Sequence, residues 1–105
     1  MNIGIVTLTQ GNLNNDHLYL TEVKSLFPSD AFGGSSEAER APLLLEVHSG
    51  IGGPVLTDIA SDKNIFRKRS WVGEFFRVHK LEAGDEVAIQ KTGSTRYHVY
   101  PCRKV

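Results

Sequence analysis

Alternating apolar and polar residues are the main pattern along this chain. Ile3 to Leu8 begins it with β-branched side chains at alternate positions, which is typical of a strand. The same pattern predicts later strands at His17–Leu20, Leu43–His48, Val55–Ile59, Val87–Lys91 and Tyr97–Tyr100. With turn-forming residues between these segments, about seven short strands are expected in all.

Two segments instead carry apolar residues at helical spacing. Thr21 resembles a helix N-cap, and Val23, Leu26 and Phe27 form one apolar face before Pro28 ends the helix. A second helix is expected after another N-cap residue, Ser70, with its apolar positions at Trp71, Val72, Phe75, Phe76, Val78 and His79.

The length of the chain limits it to one fold. At 105 residues, with 40% hydrophobic residues, it has the size of one domain with one core. We therefore expect a single domain over residues 1–105, mainly β within the α+β class. Its strands would form a small barrel-like sheet with two short helices at the ends.

Two loops carry residues that are suited to binding a ligand. Gln10–Asp16 holds four amide side chains; this composition favours a turn, although amides can also read adenine through two hydrogen bonds. The glycine-rich segment Ser49–Gly53 is not followed by the Gly-Lys-Ser/Thr sequence of a phosphate-binding loop. A flexible hairpin connection is therefore favoured there.

Charge is unevenly distributed along the chain, although the net charge is zero. Met1 to Asp62 carries two basic and eight acidic residues, a net charge of −6, whereas Lys63 to Val105 carries ten basic and four acidic residues, a net charge of +6. The stretch Ser61–Arg69 alone holds four of the twelve basic residues. Such asymmetry indicates a polyanionic partner, and we expect this stretch to contact nucleic acid.

Compartment signals are few. The single cysteine, Cys102, cannot form an internal disulfide, which favours a reducing compartment. No apolar run approaches the length of a membrane span, and neither a basic segment nor a cleavage site flanks Ile3 to Leu8 as in a signal peptide. The cytoplasm or a nucleus is therefore expected.

The order of these segments resembles the B3 DNA-binding domain over nearly the whole chain. A polar loop, the Tyr19-Leu20 strand, a helix ending at Leu26-Phe27-Pro28, and a Thr57-Asp58-Ile59 strand entering a basic loop follow one another. The most specific part is Gly73 to Asp85, where an aromatic pair, a helical His and a Leu-x-x-Gly-Asp turn occur in order. B3 domains are found in plant transcription factors and in the effector or target-recognition domains of some bacterial restriction endonucleases.

The resemblance implies a seven-stranded open pseudobarrel that grips the major groove of double-stranded DNA with two projecting arms. The first arm, the loop after the first strand, falls on Gln10–His17, and this reverses the preference for a plain turn. The second arm falls on Ala60–Arg69. The candidate DNA-binding residues are therefore Gln10, Asn12, Asn14, Asn15, His17, Ser61, Asp62, Lys63, Asn64, Arg67, Lys68 and Arg69.

Within the family, Phe27 to Gly34 and the Thr57-Asp58-Ile59 strand look closer to the prokaryotic restriction branch. That resemblance implies a recognition domain without a catalytic site of its own. Its cleavage domain would lie in a longer parent polypeptide or in a partner subunit, in the cytoplasm of a prokaryote. The plant branch would instead imply a nuclear protein.

The candidate residues suit different parts of a DNA contact. The basic side chains of the second arm would supply affinity by counterion release, and Arg or Lys can also read guanine. Asp62 is tolerable in a groove if it accepts from a cytosine amine or supports an Arg. The amides are candidate adenine readers, and His17 could bind a base or a phosphate. If residues 67–69 are strand-like, Arg67 and Arg69 share a face and should matter more than Lys68.

Other functions have weaker support in the sequence. A metal-dependent nuclease needs clustered carboxylates with a Lys, and the nearest approach, Asp30 with Glu46-Val47-His48, lacks the Lys. The four His and the single cysteine show no zinc-ligand spacing, so neither metal nor cofactor is expected. The rival interpretation is a protein-interaction or carbohydrate-binding barrel in which Trp71, Tyr97 and Tyr100 face a ligand.

Overall fold

Residues 2–102, the part of the chain that this computed structural model describes, form two open β-sheets and two α-helices. The strands are β1 (Ile3–Thr7), β2 (Phe32–Gly33), β3 (Leu45–His48), β4 (Val55–Thr57), β5 (Ile59–Ala60), β6 (Ile65–Phe66), β7 (Glu86–Lys91) and β8 (Arg96–Cys102). The α-helices are α1 (Gln10–Asn15) and α2 (Ser70–Val78), and short 3-10 helices span Thr21–Leu26, Ser29–Ala31 and Glu37–Glu39. None of the helices in the described part is long and apolar enough to cross a membrane.

The larger sheet has the strand order β1-β7-β8-β3-β4. All of its pairs are antiparallel except β3 with β8. Alternate residues of these strands enter the core, so that Val6, Val87, Val99 and Val47 are buried on one face. Tyr97 is fully buried among them, and its hydroxyl donates to the carbonyl oxygen of Leu26 at 2.7 Å. Burial raises the pKa of Tyr97 to about 12.

The smaller sheet positions the second arm. In it β5 pairs in parallel with β2 and antiparallel with β6. The chain leaves the larger sheet at Asp58, which separates β4 from β5. The turn at residues 61–64 connects β5 to β6, and the Asn64 N–H donates to the Ala60 carbonyl oxygen at 2.8 Å. The second arm therefore includes β6, and its turn is held by a sheet of very short strands.

The predicted helix at residues 70–78 is confirmed as α2, but Ser70 is its first residue and not its N-cap, which is Arg69, and Val78 is exposed. Its apolar side chains, Trp71, Val72, Phe75 and Phe76, are buried in the core. The indole Nε1 of Trp71 donates to the Lys68 carbonyl oxygen at 2.9 Å and so fixes the end of the second arm to the helix.

The Leu-x-x-Gly-Asp segment forms the predicted turn between α2 and β7. Asp85 accepts the Glu82 N–H on Oδ2 at 2.8 Å, and the Gly84 N–H donates to the Leu8 carbonyl oxygen at 2.8 Å. Gly84 has a φ of 96°, a conformation that only glycine adopts without strain.

The prediction of a loop at Gln10–Asp16 is wrong, since residues 10–15 form α1. Thr9 is its N-cap and accepts the Asn12 N–H on Oγ1 at 3.2 Å, while Asn12 Oδ1 accepts the Thr9 N–H at 2.7 Å. This reciprocal cap supplies the hydrogen bonds that a glycine- and asparagine-rich segment otherwise lacks. Asp16 then ends the helix in the left-handed conformation, with a φ of 52°.

Two other predicted elements take a different form. The helix expected after an N-cap at Thr21 is a 3-10 helix whose N-cap is instead Leu20. It is irregular at Val23 and ends before Pro28 as predicted. The strand expected at His17–Leu20 is reduced to one isolated bridge, between Tyr19 and Ile65.

The fold class is α+β and mainly sheet, as predicted, and the sheets are open. The described residues form eight strands in two sheets, however, and not seven in one barrel-like sheet. The predicted Val55–Ile59 strand is divided because Asp58 turns inward to meet Arg67, and two-residue strands such as β2 and β6 are too short to show alternation.

Candidate nucleic-acid interface

The two arms lie side by side. Immediately after the first arm, Tyr19 pairs with Ile65, and the Leu20 N–H donates to the Asn64 carbonyl oxygen at 2.8 Å. The Asn64 side-chain Nδ2 donates to Thr21 Oγ1 at 3.3 Å. The segment that follows the first arm is thus hydrogen-bonded to the turn of the second, although 43 residues of sequence separate Thr21 from Asn64.

His17 lies in the positive electrostatic field of the second arm. Its side chain is largely buried, and its ring lies at 85° to the Tyr19 ring, with Nδ1 at 3.0 Å from the Tyr19 hydroxyl. Burial lowers the pKa of His17, and the nearby charges of Arg69 and Lys63 lower it further, against an opposing effect of Asp16. The ring of His17 is therefore close enough to Lys63 and Arg69 for their charges to affect its protonation.

Three cations of the second arm are free to meet a ligand. Lys63, Lys68 and Arg69 are exposed, and none of them forms an ion pair with a carboxylate of residues 2–102. An exposed ammonium or guanidinium without a protein partner is the group that a phosphate can neutralise at least cost. Three of the ten basic residues of the second half are thus available on this arm.

Arg67, by contrast, is held inside the protein. Its Nε donates to Asp58 Oδ1 at 2.6 Å and its Nη2 to Asp58 Oδ2 at 2.9 Å, and the two side chains are 8% and 1% exposed. Its Nη1 and Nη2 also donate to the carbonyl oxygens of Ser36 and Gly34, at 2.9 and 2.7 Å. Every terminal nitrogen of Arg67 is therefore engaged within the chain.

The Asp58–Arg67 pair fixes both charges. Burial raises the pKa of Asp58, but hydrogen bonds from Arg67 and from the Ala41 N–H, at 2.8 Å, outweigh it and leave the pKa below its ordinary value of 3.8. The hydrogen bonds to Asp58 raise the pKa of Arg67. The carboxylate and guanidinium thus connect the base of the second arm to the loop that contains Gly34 and Ser36.

The expectation that Arg67 and Arg69 share a face is not met. Residues 67–69 are not a strand, and Arg67 points into the protein while Arg69, adjacent to the first turn of α2, is exposed. Since Lys68 is exposed as well, its side chain is as accessible as that of Arg69. The strand-based ranking of Arg67 above Lys68 therefore loses its structural basis.

The amides of the first arm have divided roles. Asn12 is 2% exposed, and its Nδ2 donates to the His17 carbonyl oxygen at 3.1 Å, so its side chain faces the protein. Gln10, Asn14 and Asn15 are exposed on α1. Gln10 Nε2 donates to Asn14 Oδ1, and Asn15 Nδ2 to a backbone carbonyl oxygen, both at 3.0 Å. Three of the four amides thus remain on the surface.

We predict that Asn12→Ala destabilises the domain by about 1–2 kcal/mol, because the acceptor of the Thr9 N–H and the partner of the buried His17 carbonyl oxygen are lost together. Urea unfolding would measure the change. The matched variant Asn14→Ala removes an exposed amide from the same helix and should stay within about 0.5 kcal/mol of the parent. Equal stability losses in the two variants would contradict the internal role of Asn12.

The turn of the second arm has an unusual residue at Asn64. Asn64 adopts a left-handed φ of 55°, and its side-chain Oδ1 is buried without a hydrogen-bond partner among residues 2–102. Ser61 and Asp62 are exposed on the same turn, and the Ser61 N–H donates to the Gly33 carbonyl oxygen at 3.1 Å. The turn is therefore fixed by its backbone, with the side chains of Ser61 and Asp62 left accessible.

Two further cations extend this surface along α2. Arg77 and Lys80 are exposed, and together with Asp16 and Gly73 they line a shallow cleft of about 280 Å³ beside α1. A Cβ at Gly73 would lie 2.7 Å from the Asp16 carboxylate, so the two helices are in close contact. Sequence reasoning missed Arg77 and Lys80. The four-residue spacing of Arg69, Gly73 and Arg77 nevertheless places Arg77 on the same helix face as Arg69.

Of the rival ligand-facing set, Trp71 and Tyr97 face the core, whereas Tyr100 is only half-buried. Trp71 is 5% exposed and Tyr97 is fully buried, and both pack in the core with Phe27, Phe66 and other apolar side chains. Within residues 2–102, no group of three or more His, Cys, Asp or Glu side chains is positioned to hold a metal ion. The second arm and its neighbours are thus the best-developed candidate site.

Comparison with known proteins yields a similarity of fold. No protein-family model matches the chain, and no curated protein matches it. The solved N-terminal domain of Helicobacter pylori LlaJI.R1 has a similar fold, with a TM-score of 0.59 at 9% sequence identity. The match covers 98% of this chain and 88% of that one. At this identity the similarity concerns the fold alone, and the B3 resemblance remains a prediction.

Proposed function

We propose that this chain is a sequence-specific DNA-binding domain that reads the major groove of a duplex with its two arms. The observation that carries the proposal is the group of exposed cations Lys63, Lys68 and Arg69, which form no ion pair with a carboxylate of residues 2–102. They lie on an arm whose turn is hydrogen-bonded to the segment that follows the other arm. Phosphate contacts of this kind fix the position of a protein on DNA, and side chains between them reach base edges.

The proposed roles follow exposure. Lys63 and Arg69 contact phosphates or the acceptor edge of guanine, with Lys68 beside them. Gln10, Asn14 and Asn15 of the first arm are the candidate adenine readers. Ser61, Asp62 and Asn64 lie on the same turn as Lys63. Asn12 and Arg67 act in this proposal as supports of the two arms and not as DNA contacts.

In this proposal, the protonation of His17 depends on whether a phosphate is bound to Lys63 and Arg69. A neutral imidazole beside Lys63 and Arg69 adds no further repulsion among the positive charges. A bound phosphate would partly cancel the field of those two cations and thereby favour protonation of His17. In this proposal the protonated ring then donates to the same phosphate.

We further propose that the domain serves a restriction endonuclease and has no catalytic site of its own. The proposal is supported by the resemblance of residues 27–34 and 57–59 to the restriction branch of the B3 family, together with a fold similar to that of the N-terminal domain of LlaJI.R1. Cleavage would then be performed by a nuclease domain in the same parent protein or in a partner subunit, in the cytoplasm of a prokaryote. Double-stranded DNA is the partner that this proposal requires.

A gel-shift experiment with a random-sequence duplex tests DNA binding. We expect retardation at about 50 mM salt and strong weakening by about 200 mM, because each neutralised phosphate contributes about 0.9 to the slope of log K against log salt. Selection of bound duplexes from a random pool should then yield a consensus sequence. A protein-interaction or carbohydrate-binding domain would leave the duplex unshifted at both salt concentrations.

A further inference from the structure

An aromatic cleft of about 540 Å³ lies at the base of the second arm. Its lining residues are Lys24, Ser25, Phe27, Ser29, Phe32 and Ser61. Ser61 belongs to the arm itself, whereas the other five come from the region between Thr21 and β2. The cleft is thus continuous with the proposed DNA surface. Ser61 is the one candidate DNA-binding residue among its lining residues.

The cleft combines three kinds of recognition group. Phe27 and Phe32 meet edge to face, with ring centroids 6.5 Å apart, and Phe32 is only partly buried. The ammonium of Lys24 lies 5.6 Å from the centroid of the Phe32 ring. The hydroxyls of Ser25 and Ser29 are exposed, as is that of Ser61, and all three are without a hydrogen-bond partner in the described part of the chain.

Each group matches one part of a nucleotide. A nucleobase stacks on an aromatic ring, its polar edge needs hydrogen-bonding groups such as serine hydroxyls, and its phosphate is attracted to an ammonium ion. The cleft is open to solvent, so a base can enter it from the surface of the protein. A purely apolar partner would leave the three hydroxyls and Lys24 without a role.

We infer that this cleft binds an unpaired nucleotide of the DNA that the arms hold, with the base against Phe32 and the phosphate near Lys24. The inference rests on the proposed function, because the arms bring the DNA to the cleft. Taking a base out of an intact duplex costs free energy, and this cost is smallest for a base that is already unpaired. The cleft therefore favours duplexes that contain an unpaired base.

The test compares a matched duplex with the same duplex carrying one additional unpaired adenine. We expect the parent protein to bind the bulged duplex about tenfold more tightly, as one base–aromatic stack provides. Two variants should abolish the preference and retain matched-duplex affinity. Phe32→Leu removes the stacking ring, and Ser29→Trp fills the cleft from an exposed position. Ser94→Trp adds the same bulk to the exposed turn before β8 and should keep the preference.

The outcomes separate the two proposals. Equal affinity of the parent for both duplexes, or a preference that survives in both cleft variants, overturns the inference and leaves the proposed function standing. If no duplex is bound at all, the proposed function fails, and titration with dAMP under NMR then tests the cleft alone. Shifts of the Phe32 ring signals that are absent in Ser29→Trp would support it, and unshifted signals would overturn it.

Discussion

Asp58→Asn is expected to destabilise the domain by about 3–5 kcal/mol, the usual effect of breaking a buried ion pair by removing one partner. The Arg67 guanidinium would keep its position against the Gly34 and Ser36 carbonyl oxygens but lose the carboxylate that compensates its charge. The Ala41 N–H would lose its charged acceptor as well. Urea unfolding followed by circular dichroism measures the change.

A surface ion pair provides the matched control. Glu37→Gln removes the carboxylate that lies 3.9 Å from Arg40, in a pair whose side chains are 58% and 71% exposed. That change should cost less than about 1 kcal/mol. The double variant Asp58→Asn/Arg67→Met should lose less than the sum of the single variants, since it leaves no unpaired buried charge. A loss below about 1 kcal/mol in Asp58→Asn would contradict the structural role of the pair.

The same pair predicts a dependence on pH. Because the folded-state pKa of Asp58 is below its ordinary value of 3.8, its contribution to stability is present above that pH and is lost as pH falls through the folded-state pKa. The stability difference between the parent and Asp58→Asn should therefore shrink as pH falls below about 4. A difference that stays constant into strong acid would mean that Asp58 is not held ionised.

The elements that sequence reasoning predicts correctly are those whose own side chains form the core. The helix after Ser70 follows from apolar residues at helical spacing, and β1, β7 and β8 follow from simple alternation. α1 shows no such signal, because its six residues include one glycine and three asparagines, and its stability depends on the reciprocal hydrogen bonds between Thr9 and Asn12. Asparagine is a poor helix former in general, so tertiary and capping contacts decide the conformation here.

The candidate site was predictable as a region but not residue by residue. Charge density identifies Ser61–Arg69, yet nothing in composition distinguishes an Arg that faces solvent from one that binds a carboxylate nine residues earlier. One signal was present, since Asp58 lies between Thr57 and Ile59 in an apolar strand, and a buried carboxylate requires a cationic or hydrogen-bonding partner. Such a signal predicts that a partner exists without naming it.

For the proposed interface, we expect Lys63→Gln/Arg69→Gln to weaken binding to a duplex by about a hundredfold or more. Each lost charge-assisted hydrogen bond contributes about 1.5–3 kcal/mol, and 1.4 kcal/mol corresponds to a factor of ten. Fluorescence anisotropy with a labelled duplex, repeated over a range of salt concentrations, measures both affinity and its salt dependence. If both side chains meet phosphates, the slope of log K against log salt should fall by about two units.

Net charge alone cannot produce this result if the control behaves as expected. The control variant Arg40→Gln/Lys91→Gln also removes two positive charges, but from positions outside the arms. It should change affinity by less than about threefold, because salt screens distant charges. Lys63 and Arg69 are exposed and form no ion pair with any carboxylate in residues 2–102, so both double variants should unfold at nearly the parent temperature. Similar losses in the two double variants would indicate a nonspecific response to charge, and an unchanged affinity in the arm variant would remove the second arm from the interface.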